Sequence, residues 1–190
     1  LSSDEIDQAN AQLIELIATP SSSLHAGAAS LTLPKPLGPR TLPLYAQPKA
    51  KILLLGRGGQ VRAAIATVDT LHIPDPSQKV IRFTVASAAE ITPERVLVVA
   101  NHSHAGPRLP GGLAMRLAFG DAEIKHAQLL ELFDKLTRKA LRHYEPARIG
   151  LAEAAMPNYV GGRAKGAQVS IDNKIRLALL QSKHQRTILW

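Results

Sequence analysis

The sequence contains no cysteine among its 190 residues. A disulfide framework, a cysteine nucleophile and a thiolate zinc site are therefore excluded together. Any metal ion would have to be held by His, Asp, Glu or Tyr side chains. The candidate chemistry of this chain is thus restricted to nitrogen and oxygen groups.

Aromatic residues and long apolar runs are also scarce. Aromatic residues make up only 4% of the sequence, and no apolar run approaches the roughly 20 residues that cross a bilayer. The first ten residues are acidic and polar, so no signal peptide is visible. The chain starts with Leu1 rather than methionine, which leaves open that an upstream segment has been removed. We predict no membrane-spanning segment, and composition leaves the compartment open.

Blocks of basic residues are missing although the formal net charge is +8. Lys and Arg residues occur in ones and twos, and they are not interleaved with aromatic residues. A nucleic-acid partner is therefore not predicted. Attraction to an anionic membrane surface stays open, because a net positive charge favours anionic head groups.

The apolar residues are numerous, at 45% of the chain, and their spacing indicates helices alternating with strands. Helical spacing occurs at residues 6–17, 77–89 and 124–141, the last stretch following Asp121 as a predicted cap. Strand-like runs occur at residues 51–55 and 61–68, which a glycine turn joins as a hairpin, and at residues 96–100 and 174–180. Residues 20–48 are rich in proline and are predicted to form an extended surface segment.

This alternation predicts a fold of the α/β class, a mixed sheet with helices packed on it. The length of 190 residues is within the range of one ordinary domain. We therefore predict a single α/β unit over residues 1–190.

Two histidines follow directly after the predicted strand 96–100, in the segment Asn-His-Ser-His-Ala-Gly-Pro at residues 101–107. Side chains two residues apart in extended chain point to the same face, so His102 and His104 are predicted to present two nitrogen ligands to one ion. Catalytic zinc takes three protein ligands and a water, and only two candidates are adjacent here. The pair by itself leaves two interpretations open, a metal site and polar residues at the end of a strand.

Two other residues have both a structural and a functional interpretation. Asp69 ends the predicted strand 61–68 and is either a turn residue or a partner that orients a ligating histidine. His184 lies between basic residues after the last predicted strand, where solvation is expected. It is nevertheless the best candidate within the chain for a third metal ligand.

Residues 101–107 resemble the Thr-His-Thr-His-Ser-Gly-Pro segment that follows a strand in the neutral, non-lysosomal ceramidases. The preceding Ile-Thr-Pro-Glu-Arg-Val-Leu-Val-Val-Ala at residues 91–100 is similar to the family's Pro-Glu-Asn-Val-Leu. Shorter matches in the right order are Leu-Tyr-Ala-Gln at 44–47, Ala-Thr-Val-Asp at 66–69 and Pro-Ala-Arg-Ile-Gly at 146–150. The resemblance is strongest over residues 24–163 and indicates the amino-terminal part of a larger catalytic domain.

This resemblance implies a zinc-dependent hydrolase that cleaves the N-acyl amide bond of ceramide or a related lipid amide. It implies that His102 binds zinc and that His104 contacts the substrate or the transition state. It also implies that Arg163 reaches the active site, where an arginine can stabilise the developing oxyanion during amide hydrolysis. From the sequence alone, a solvated turn residue is the other interpretation of Arg163. A secreted or periplasmic location is implied in the same way.

The sequence also departs from the family pattern. Gly162 stands where the family has an asparagine before its arginine, and residues 31–34 lack the aspartate of the family's Asp-Ile-Thr-Pro. The family's remaining zinc ligands, a histidine, a glutamate and a tyrosine, belong to sequence beyond Trp190. We therefore expect a further polypeptide segment to complete the metal site. A divergent or inactive module that serves as a binding or partner subunit is the alternative function.

Overall fold

The computed structural model describes residues 24–34, 47–155, 174–182 and 187–189. The described residues up to Pro146 form one compact unit, and those from Ala147 onward belong to a second. The predicted helix at residues 6–17 lies outside the described residues. The predicted single unit over residues 1–190 includes such segments and stays a prediction.

Most of the secondary structure lies in the larger unit. In chain order it contains β1 (Leu24–Thr32), β2 (Lys49–Arg57), β3 (Gln60–Val68), α1 (Asp75–Ala89), a 3-10 turn (Pro93–Arg95), β4 (Val96–Ala100), α2 (Leu113–Phe119), α3 (His126–Leu141) and the first two residues of β5 (Glu145–Ala155). The smaller unit contains the rest of β5 together with β6 (Lys174–Ser182) and β7 (Thr187–Leu189).

The sheet of the larger unit has the strand order β4-β3-β2-β1, and the start of β5 pairs with β1. β2 runs antiparallel to both β1 and β3, whereas β4 runs parallel to β3. The β2–β3 hairpin turns at Gly58 and Gly59, whose positive φ angles of 56° and 79° suit a two-residue hairpin turn. The predicted hairpin, the strand at 96–100 and the mixed α/β class are confirmed.

One face of this sheet carries the core. Alternate residues of β3 and of β4 are buried on the face that packs against α1, as expected for strands covered on that side, and α3 packs against β1 and β2. On α3 the buried side chains recur at helical spacing and include Leu129, Phe133 and Leu136. A Cβ on Gly27 of β1 would lie 2.5 Å from the carbonyl oxygen of Ala140, so a glycine is what lets α3 approach the sheet this closely.

Three features differ from the sequence prediction. Residues 24–32 form strand β1 rather than a surface segment, because no proline lies between Pro20 and Pro34. Asp121 does not cap the long helix: α3 begins at His126, and the Lys125 N–H donates to Gln128 Oε1 at 2.8 Å. Helix α2 was not predicted, because its seven residues are too few for a recognisable period.

In the smaller unit, β5 pairs with β6 and β6 pairs with β7, both antiparallel. The predicted strand at residues 174–180 is therefore confirmed as part of β6. Within the described ranges, no helix combines the length and the apolar character that a bilayer crossing requires.

Candidate functional site

The candidate site lies where two parallel strands end side by side. Val68, the last residue of β3, is paired with Ala100, the last residue of β4. The chain segments that follow these strands therefore leave the sheet at the same edge. The carboxyl edge of parallel strands is where α/β folds commonly bind their ligands. The predicted position of the histidines at the edge of the sheet is confirmed.

The two histidines do not lie on extended chain. β4 ends at Ala100, and His102 has a left-handed φ of 61°, so the prediction that strand alternation aligns the two side chains is wrong. A turn brings the rings together instead. The ring centres of His102 and His104 are 5.4 Å apart, and the ring planes are nearly perpendicular at 86°. Both side chains are exposed.

Short-range hydrogen bonds to polar side chains explain this turn. The Ser103 N–H donates to Asn101 Oδ1 at 3.2 Å, which is an Asx turn centred on His102. The Ala105 N–H donates to Ser103 Oγ at 3.3 Å, so a second turn of the same kind follows at His104. Asn and Ser compete with the strand ladder in this way, and they end β4 before the histidines.

The His102 ring is oriented by the backbone of the neighbouring loop. Its Nδ1 lies 3.0 Å from the Leu71 carbonyl oxygen. A carbonyl oxygen only accepts hydrogen bonds, so Nδ1 carries the proton in this contact and the lone pair is on Nε2. Metal-binding histidines are commonly oriented by such a bond from the other ring nitrogen. The His102 ring thus fits a metal ligand that binds through Nε2.

Residues 101–109 are called the histidine loop below. Asp69 holds Asn101, the residue before His102, rather than an imidazole. Its Oδ1 accepts a hydrogen bond from Asn101 Nδ2 at 2.7 Å, and its Oδ2 accepts one from the Lys49 N–H at 2.8 Å. The carboxylate thus stabilises the end of the strand, and its interpretation as the partner of a ligating histidine stays a prediction. Asp69 acts on the histidine loop through Asn101.

The far end of the histidine loop is anchored in the protein. The buried Thr70 hydroxyl donates to the Pro107 carbonyl at 2.8 Å, and Leu109 is buried in the core. Gly106 packs directly on the 69–70 backbone: a Cβ at this position would overlap the Asp69 carbonyl oxygen and lie 2.7 Å from Thr70 Cα. The loop that carries the histidines therefore has little room to shift.

An ion pair adds a further anchor to this loop. The Arg108 N–H donates to Glu123 Oε2 at 2.8 Å, and the Arg108 side chain lies 3.6 Å from Glu123 Oε1. The Arg108 Nε donates to the Asp121 carbonyl at 3.0 Å. These contacts connect the loop to the segment before α3.

The distance between the two imidazoles suits a shared ligand. Two rings that bind one tetrahedral zinc through nitrogens at about 2.0–2.1 Å have centres roughly 5 Å apart. The observed 5.4 Å is therefore compatible with one ion, or one substrate group, in contact with both His102 and His104. Among residues 24–34, 47–155, 174–182 and 187–189, no group of three potential His, Cys, Asp or Glu ligands occurs. Arg163, Gly162 and His184 lie outside these ranges.

The fold is similar to that of solved ceramidases. The neutral ceramidase from Pseudomonas aeruginosa superposes with a TM-score of 0.68 at 14% sequence identity. A ceramidase complexed with C2 superposes with a TM-score of 0.71 at 15% identity. Each match covers 87% of this chain and 30% of the solved chain, so this chain spans less than a third of their length. Likeness at this identity is a likeness of fold.

The sequence itself gives no closer relationship. It matches no protein-family model, and no curated protein matches it. The resemblance to neutral ceramidases inferred from the sequence motifs is thus supported at the level of the fold.

Sequence reasoning missed two of the groups that position the histidines. Thr70 follows Asp69, and no sequence pattern marks it. Its position directly after a strand is the only feature that could have indicated a hydroxyl near the site. The Leu71 contact uses a backbone carbonyl, which every residue type has. Only the three-dimensional neighbourhood of β3 and β4 reveals that contact.

Proposed function

We propose that this chain is part of a zinc-dependent hydrolase that cleaves the N-acyl amide bond of ceramide or a related lipid amide. The His102 ring is the observation that supports this proposal. Its Nδ1 is bonded to Leu71, which leaves Nε2 to bind a metal beside His104. The pair lies at the carboxyl edge of two parallel strands, in a fold similar to that of solved ceramidases.

In the proposed mechanism, His102 holds the zinc ion, and its bond to Leu71 sets the plane of the ring. A zinc ion bound there would supply Lewis-acid polarisation of the amide carbonyl and would lower the pKa of a nearby water. His104 contacts the substrate amide in the transition state. Arg163 donates hydrogen bonds to the oxygen on which negative charge develops.

One histidine does not hold a catalytic zinc firmly, because such sites use three protein ligands. We therefore propose that a further polypeptide segment supplies the remaining ligands. The chain spans only 30% of the solved ceramidases, which is consistent with a site shared with other sequence. On its own the chain is expected to be a poor catalyst.

We further propose that the protein works at an anionic membrane surface, in a secreted or periplasmic location. Helix α2 supports the membrane contact, because Leu113 and Leu117 are 68% and 79% exposed. Such side chains can enter a lipid interface, and the net charge of +8 favours anionic head groups. Sedimentation with anionic and with neutral vesicles tests this, and equal binding to both would contradict the electrostatic part.

Metal analysis after equilibrium dialysis tests the zinc site directly. We expect zinc at a stoichiometry near one in the wild type, and binding weakened by about tenfold or more in His102→Ala. The matched control is His126→Ala, which removes an exposed imidazole at the start of α3. Equal zinc in the wild type and in His102→Ala would show that the assignment is wrong.

A second variant separates the roles of the two histidines. His104→Ala should retain zinc, yet lose most of the turnover in any active assembly. Loss of zinc with unchanged specific activity of the loaded fraction would instead make His104 the metal ligand.

Hydrolysis of a fluorescent ceramide tests the reaction. We expect little turnover from the chain alone, and restoration when the polypeptide that follows it in the natural gene or complex is added. Full activity of the isolated chain that a zinc chelator does not affect would contradict both the shared site and the metal mechanism. A zinc-loaded assembly without amidase activity would favour the alternative, a divergent module that acts as a binding or partner subunit.

A further inference from the structure

Three consecutive residues after β3 each contact a different point of the histidine loop. The Asp69 carboxylate binds the Asn101 side chain, the Thr70 hydroxyl binds the Pro107 carbonyl, and the Leu71 carbonyl meets the His102 ring. The three distances are 2.7, 2.8 and 3.0 Å. Residues 69–71 are called the positioning strip below.

The positioning strip is itself fixed to the sheet. The Asp69 N–H donates to the Lys49 carbonyl at 2.9 Å, and the Lys49 N–H returns a bond to Asp69 Oδ2 at 2.8 Å. This pair of bonds extends the β2–β3 ladder beyond the last strand residue. The remaining carboxylate oxygen, Oδ1, therefore has a defined place from which to hold Asn101.

Asn101 transmits this position to His102. Its Nδ2 donates to Asp69, so its Oδ1 is turned towards the Ser103 N–H. That second bond closes the turn in which His102 has its φ of 61°. A non-glycine residue rarely adopts this conformation, so the turn must be stabilised by its surroundings. The Asp69–Asn101 bond provides that stabilisation.

The conformation of His102 in turn decides which ring nitrogen carries the proton. With the backbone in this turn, Nδ1 faces the Leu71 carbonyl and must donate to it. A neutral imidazole has one protonated nitrogen, so Nε2 is the acceptor. We infer that Asp69 is a positioning residue, which through Asn101 selects the Nδ1–H tautomer of His102 and exposes Nε2 for a ligand.

The tautomer part of this inference is independent of any metal. Its consequence, that the selected Nε2 binds zinc, rests on the proposed function. The two parts can therefore be measured separately on the same variants.

Ring nitrogen NMR of the metal-free chain tests the tautomer. Spectra are recorded at alkaline pH, and His102→Ala identifies the His102 signals. We expect Nδ1–H to predominate in the wild type. The Asp69 carboxylate accepts hydrogen bonds from Asn101 Nδ2 and from the Lys49 N–H. In Asp69→Asn the amide NH₂ group faces one of these two donors, so that hydrogen bond is lost. We expect the ratio of the Nδ1–H to the Nε2–H tautomer of His102 to fall by about fivefold.

Asp134→Asn is the matched control. It makes the same chemical change on α3, where Asp134 pairs with Arg138 on the solvent side, and it should leave the His102 ratio unchanged. Circular dichroism and amide shift dispersion establish that each variant is folded. If Asp69→Asn does not fold, Asn101→Ala decides the question, because it removes the same connection at an exposed side chain.

A wild-type ratio in a folded Asp69→Asn or Asn101→Ala variant would overturn the inference, and so would a wild-type His102 protonated on Nε2. Zinc titration gives the second arm: Asp69→Asn should weaken zinc binding by about tenfold or more, as loss of an orienting partner does. If zinc does not bind even when the polypeptide that completes the site is added, the proposed function fails, while the tautomer ratios still decide the positioning role.

Discussion

Replacing Gly106 with alanine is a sharp test of how tightly the histidine loop is packed. The added Cβ would overlap the Asp69 carbonyl oxygen, and it would lie 2.6 Å from the Asp69 carbonyl carbon and 2.7 Å from Thr70 Cα. All three neighbours are backbone atoms, so no flexible side chain can move aside. The loop itself must shift away from the positioning strip.

The cost of that shift can be worked from its parts. Adding atoms to a packed region costs typically about 1–3 kcal/mol. Displacing Pro107 also breaks its buried bond to Thr70, which adds about 1 kcal/mol. We therefore expect Gly106→Ala to lower the free energy of unfolding by about 2–4 kcal/mol, and to lower Tm by roughly 2–4 °C per kcal/mol.

Urea denaturation followed by circular dichroism measures this difference. Gly112→Ala is the matched control, because a Cβ at Gly112 meets nothing within 4 Å. Gly112 is the N-cap residue of α2, so Gly112→Ala should change the free energy of unfolding by no more than about 1 kcal/mol, as N-cap substitutions do. A midpoint for Gly106→Ala equal to that of the wild type would refute the close packing of the loop on residues 69–70.

Three further predictions concern the supporting structure. Thr70→Val removes the hydroxyl that donates to Pro107 and should lower the free energy of unfolding by about 1–3 kcal/mol in urea denaturation. Thr70→Ser keeps a hydroxyl and should retain most of that stability. Equal losses in the two variants would contradict the role of the hydroxyl. Phe133 is fully buried in the core, so Phe133→Ala should cost about 3–5 kcal/mol by the same assay, and a loss below about 1 kcal/mol would contradict its placement. Burial raises the pKa of Tyr144, an effect that Arg62 partly offsets. The unfolded chain ionises first, so this tyrosine's contribution to stability is complete below about pH 10 and is lost as pH rises through the higher folded pKa. Tyr144→Phe should remove that loss, and it should remove a phenolate step above the ordinary tyrosine pKa of about 10 from the ultraviolet titration. Loss of a step at the ordinary value instead would contradict the raised pKa.

The parts of the fold that depend on local pattern could be predicted from the sequence. The β2–β3 hairpin follows from two apolar runs around Gly58 and Gly59, and α1 and β4 follow from their periods. The interpretation of the local pattern missed β1, because prolines dominate the sequence around it, although residues 24–29 also resemble the opening strand of the neutral ceramidases. Its strand character depends on pairing with β2 and β5, which are distant in sequence.

The position of the two histidines in the fold was predictable from the sequence, whereas their conformation was not. The His-x-His motif after β4 marked the correct edge of the sheet, because strand ends carry ligands in such folds. The conformation of His102 was not predictable from strand alternation, because Asn101 and Ser103 end the strand with side-chain turns. The contact to Leu71 arises from the parallel alignment of β3 and β4, which no local pattern encodes.

The connection between β3 and β4 also has a kinetic consequence. The bonds from Asp69, Thr70 and Leu71 to the histidine loop close over sequence separations of 32, 37 and 31 residues. The pairing of β1 with β5 joins residues that are much farther apart in the sequence, because His25 pairs with Pro146. Loop closure costs more conformational entropy as the loop lengthens, and contacts close in sequence favour rapid folding. A growing chain can therefore assemble its two imidazoles while β5 is still being synthesised.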